Sequence, residues 1–71
     1  MSWEPYQTEQ LQSAIDRFDR PLIERYCNQL VSSLRTLEGS ISETDGLQVL
    51  ALLQRKRYFQ LLQEVSDAMI Q

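Results

Sequence analysis

The sequence predicts an all-α fold, a small antiparallel bundle of three to four helices. Three observations carry this. Apolar residues recur at spacings of three and four over most of the chain. Two glycines and two prolines are too few for the turns of an all-β fold. An apolar share of 42% is too high for a disordered segment. The 71 residues make a single helical interaction domain, with residues 1–7 as an extended lead-in. A chain this short buries only about 60% of its unfolded surface. Its core then supplies about 3–5 kcal/mol unless something staples it.

In the lead-in, Trp3 and Tyr6 are expected to fold back onto the core, because aromatic rings bury large area at low entropic cost. Thr8 is placed as the first N-cap, with Glu9 in a first turn that favours negative charge. Leu11, Ile15 and Phe18 form the apolar stripe of a short helix over 9–18. Asp19-Arg20-Pro21 then ends one helix and opens the next, since proline suits a first turn and Asp19 can cap it. The second helix carries Leu22, Tyr26, Leu30, Leu34 and Leu37, with Ile23, Cys27 and Val31 alongside, to about Glu38; Gly39 is its stop.

A loop follows, in which Ser42 and Asp45 are spaced as a capping box. The third helix is expected to turn Leu47, Leu50, Ala51 and Leu53 inward, with Val49 and Leu52 off that face. It is apolar most of the way round, so it is buried on two sides or offers one side to a partner. The fourth carries Tyr58, Leu62, Val65 and Met69 on one stripe, with Phe59, Leu61 and Ala68 beside it. A break is expected at Arg55-Lys56-Arg57. These are good helix formers, however, and one helix from Asp45 to Gln71 is the alternative. The helical pattern reaches Gln71 without a cap, as expected of a module within a larger assembly.

The residue inventory argues against catalysis. There is no histidine, so Ser–His and Cys–His nucleophile pairs and the usual zinc spacings are excluded. Cys27 has no second cysteine to pair with and reads as a small buried hydrophobe. Asp16 with Asp19, and Glu64 with Asp67, read as solvated carboxylates paired along helices, for example Asp16 with Arg20. The acidic loop Glu38–Asp45 lacks the spacing of a calcium loop. No catalytic, metal-binding or cofactor-binding residue is therefore assigned, and no cofactor is expected.

A net charge of −3 and a pI of about 4.7 make the chain a poor binder of nucleic acid or anionic membrane. Neither is expected as a partner, nor is a small-molecule substrate. The longest apolar run, Val49 to Leu53, is far short of the roughly 18–20 residues of a membrane span. The opening Met1–Pro5 has neither the basic start nor the apolar run of a secretory leader, and a lone cysteine fits a reducing cytoplasm.

What remains is recognition. Arg55-Lys56-Arg57 holds three of the seven basic residues. It reads either as a docking site for a carboxylate-rich or phosphate-bearing partner, or as helix C-terminal charge favoured by the dipole. Ile23, Val31, Val49, Leu52, Leu61 and Ile70 exceed what one stripe per helix requires, which suggests a patch for a protein partner or a second copy. The partner-facing residues are expected to be Val49, Leu52, Arg55, Lys56, Arg57, Phe59 and Leu61. On that reading Leu52→Asp abolishes association and leaves the monomer helical.

The run Leu50-x-x-Leu53-x-Arg55-Lys56-Arg57-x-Phe59-x-x-Leu62-x-x-x-Ser66-Asp67-Ala68-x-Ile70 resembles helical hairpins of bacterial tetratricopeptide-like proteins. The resemblance implies an adaptor or association module beside a repeat or effector region. The first half does not align with the second, so a repeat array is not expected. Two other functions stay open: a recruitment or regulatory domain of a bacterial enzyme or defence effector, and, more weakly, a nucleic-acid-associated regulator.

Overall fold

Four helices account for most of the chain in the computed structural model, which describes residues 3–36 and 39–70: α1 (Pro5–Asp16), α2 (Arg20–Leu34), α3 (Glu43–Arg55) and α4 (Phe59–Ile70). No strand occurs among the described residues.

Helix α1 starts four residues before the expected position. Glu4 is its N-cap in extended geometry, and Pro5 occupies the first turn, where a missing N–H costs nothing. The Gln7 side chain accepts from the Glu4 N–H at 2.7 Å. Thr8 is therefore a buried residue inside the helix rather than its cap. Its hydroxyl accepts the indole N–H of Trp3 at 2.8 Å, and the Trp3 backbone N–H donates to the Ser40 carbonyl at 2.8 Å. Trp3 does fold onto the core as expected, but Tyr6 stays 59% exposed.

Asp19 caps α2 as expected, accepting from the Leu22 N–H at 3.4 Å. The helix stops at Leu34, short of the expected end; Leu37 and Glu38 lie outside the described residues, as do Met1, Ser2 and Gln71. Gly39 serves a purpose other than a helix stop: a Cβ there would fall on the Ser33 carbonyl oxygen, so the close approach of two backbone segments demands glycine. Ser42 caps α3, accepting from the Asp45 N–H at 3.1 Å and donating to the Asp45 carboxylate at 3.0 Å.

The break near Arg55–Arg57 is real, and it repeats the α1–α2 turn. In both, a cap residue (Arg17, Lys56) is followed by one in the left-handed region, Phe18 at φ 57° and Arg57 at φ 63°. The N–H of Phe18 donates to the Ile15 carbonyl and that of Asp19 to Ala14; Arg57 and Tyr58 donate likewise to Gln54 and Leu53. This double hydrogen bond closes a helix end that usually ends on glycine. Here phenylalanine and arginine occupy that position.

The two hairpins are stacked. Helix α1 packs on α2 and α3, and α4 packs on α2 and α3, which leaves α1–α4 and α2–α3 as the diagonals. Contacts at both ends show α1 and α3 running in the same direction: Trp3 meets Ser40 at their starts, and Lys56 lies over Phe18 at their ends. The small antiparallel all-α bundle that the sequence predicts is thus the fold: consecutive helices alternate in direction, and the non-consecutive neighbours α1 and α3 run parallel.

The core between the hairpins is built from Leu11, Ile15, Ile23, Leu30, Val49, Leu53 and Val65, all essentially inaccessible, with Trp3 closing one end. Helix α3 presents a different face from the one expected. Val49 and Leu52 point inward with Leu53, while Leu47 and Ala51 are exposed. Because α3 packs against both α1 and α4, its buried arc is set by two neighbours. Burial on two sides is one of the two outcomes that its nearly continuous apolar surface allowed.

Candidate functional site

The expected partner-facing set does not form one surface. Val49 is 0% exposed, and Leu52 and Leu61 are 6% exposed, so all three belong to the core and cannot meet a partner. Arg55, Lys56, Arg57 and Phe59 are exposed, and they gather at the turn end of the bundle. The broader excess of apolar residues divides in the same way: Ile23 is buried, Val31 is half-buried, and Ile70 is 81% exposed.

The turn end joins both hairpins. The Lys56 ammonium lies 5.8 Å from the centre of the Phe18 ring, and the Arg20 guanidinium 4.9 Å from that of Tyr58. Arg20 also lies 3.8 Å from the Glu24 carboxylate, an exposed pair that adds little stability. Five of the seven basic residues (Arg17, Arg20, Arg55, Lys56 and Arg57) lie in or beside the two turns. Phe18 was expected to complete the inward stripe of the first helix. It is instead 75% exposed, because the left-handed turn carries it out of the helical period.

At the opposite end an apolar cleft of about 400 Å³ opens between the end of α2, the start of α3 and the end of α4. Leu34, Ile41, Gly46, Leu47, Leu50 and Met69 line it together with Ser40, Ser42 and Glu43, and Leu47 is 62% exposed. Gly46 is part of the reason the cleft exists. A Cβ there would meet the Met69 methyl at 3.6 Å, an ordinary contact, so helix packing does not demand glycine at this position. Glycine nevertheless carries a helix-propensity cost of about 1 kcal/mol relative to alanine.

Among the described residues, no group of three or more His, Cys, Asp or Glu could hold a metal ion. No helix among them is long and apolar enough to cross a membrane. Cys27 is buried mid-helix. Burial pushes its thiol from 9.0 up to about 12; Glu64 and Glu24 add to the rise and Arg20 opposes it. The thiol therefore stays protonated at neutral pH and is a poor nucleophile.

The high thiol pKa makes stability depend on pH. Between pH 9 and 12 the folded chain keeps a proton that the unfolded chain releases. The contribution is complete below pH 9, and stability falls by about 1.4 kcal/mol per pH unit above it. Denaturant melts across this range should show Cys27→Ala with the shallower decline. Equal slopes for the two proteins would mean that Cys27 does not keep its proton.

Two surfaces stand out among the described residues, the basic turn end and the apolar cleft. Comparison with known protein families, curated proteins and solved structures finds no match. Of the two surfaces, the sequence pointed at the basic turn through Arg55–Arg57 and missed the cleft. The signal for the cleft was Gly46, a glycine placed inside a helix beside an apolar run.

Proposed function

We propose that the chain is a non-enzymatic protein–protein association module that pairs with a second copy of itself through the cleft at the α2–α3–α4 end. The cleft carries the reading. It sets an exposed apolar knob, Leu47, on the lining of a hole that Gly46, Leu50 and Met69 also line. A knob and a hole on one face satisfy a two-fold contact, in which each copy gives Leu47 and receives it. Ile70, next to Met69 in sequence, adds further exposed apolar surface. The need for burial beyond a core of this size favours the same conclusion. An adaptor role in a reducing cytoplasm is part of this proposal; it rests on the sequence resemblance of the α3–turn–α4 segment to tetratricopeptide-like hairpins and on the lone cysteine.

Light scattering after size exclusion tests this over a range of protein concentrations. The wild-type chain should approach twice the monomer mass. Leu47→Asp should stay at the monomer mass with an unchanged helical spectrum, because its side chain is already mostly in water. A wild-type chain that remains monomeric throughout would refute pairing at the cleft.

A further inference from the structure

The turn end offers a second surface, chemically unlike the cleft and at the opposite end of the bundle. It combines Arg17, Arg55, Lys56 and Arg57, all exposed, with the Phe18 and Phe59 rings at 75% and 59% exposure. Neither core burial nor backbone geometry explains Phe18, whose ring meets the Lys56 side chain at the surface. The left-handed φ of 57° favours glycine, and the ring lies mostly in water. The same holds for Arg57 at φ 63°. Costly residues at exposed positions are a mark of binding rather than of folding.

We infer that the paired turns form a docking face for a short acidic peptide segment carrying a bulky apolar side chain. The cations would receive carboxylates, with the arginines offering two donors to each. The exposed rings would cover the apolar side chain. The two cation–ring contacts, Lys56 over Phe18 and Arg20 over Tyr58, hold the two turns together as one face.

Charge distribution favours a peptide over a nucleic acid. The whole chain is −3, and the basic face is bordered by Asp16, Asp19 and Glu24. The molecule measures only 22 × 21 Å across its long axis. A strand with a phosphate every 3.4 Å or so would soon run past the cations onto acidic flanks. A peptide with a few carboxylates can be confined to the face.

The inference does not depend on pairing at the cleft, and the test keeps the two apart. A fluorescein-labelled peptide of repeating Glu-Glu-Phe is titrated with the protein and followed by anisotropy. Saturable binding is expected, and it should be lost when the peptide carries glutamine for glutamate. Lys56→Glu combined with Arg57→Glu should weaken binding by about tenfold, the sum of two exposed charge contacts reversed. Phe18→Gly should also weaken it while keeping the fold, because glycine suits that backbone. Leu47→Asp should leave it unchanged.

Several results would overturn the inference: no saturable binding, equal binding to the charge-reversed double variant, or tighter binding of oligothymidylate than of the peptide. A fall in light-scattering mass for the double variant would assign this face to a second copy and overturn it as well.

Discussion

Trp3→Ala should unfold a large share of the chain at room temperature. Removing a buried aromatic ring costs about 3–5 kcal/mol. A core of this size supplies about the same amount in total. Trp3 is only 4% exposed and closes one end of the core. Its indole N–H is the donor to the Thr8 hydroxyl, which is itself 1% exposed, so the substitution also leaves a buried oxygen without that partner. Trp3→Phe should be milder, since most of the buried area remains and the principal loss is the hydrogen bond. Urea melts followed by far-ultraviolet circular dichroism measure both. A Trp3→Ala midpoint equal to that of the wild type would show that the ring does not hold the fold.

Leu52→Asp should abolish folding, while Leu47→Asp, five residues earlier on the same helix, should not. The side chain of Leu52 faces the core at 6% exposure, whereas that of Leu47 is 62% exposed. A carboxylate at position 52 would replace an apolar side chain that is 6% exposed, and burying a charge in an apolar core costs several kcal/mol. The Leu47 variant exchanges one water-facing group for another. This reverses the sequence-based expectation for position 52, in which Leu52→Asp left a helical monomer. A cooperative melt and an intact helical spectrum for Leu52→Asp would contradict the burial described above.

The contrast between these two positions shows what the sequence could reveal. Some local signals read well, although Thr8 and Gly39 did not. Asp19 before Arg20-Pro21, Ser42 before Asp45 and the aromatic at position 3 each act through nearby chemistry, and each was found where expected. The phase of α3 was not legible. Leu47, Val49, Leu50, Ala51, Leu52 and Leu53 are apolar nearly all round the helix, so no single stripe stands out. The choice is made by the two helices packed against it. Phe18 was misplaced for a related reason: a left-handed residue ends the helical period one position early, and no glycine marks it. The kinship of the two turns was hidden too. Arg17-Phe18-Asp19 and Lys56-Arg57-Tyr58 share a backbone path and hydrogen bonds but not a residue pattern.

Those twin turns also bear on how the chain reaches its fold. Each hairpin closes over a very short reversal, so its two helices find one another at little entropic cost and on a fast timescale. Joining the hairpins is different, because it brings together groups from distant parts of the chain. The tryptophan near the N-terminus binds a carbonyl at position 40, on the far side of the first hairpin. As the chain's single tryptophan, it is a built-in optical reporter of that late step. Its emission would follow the meeting of the hairpins, while circular dichroism would follow the earlier winding of each.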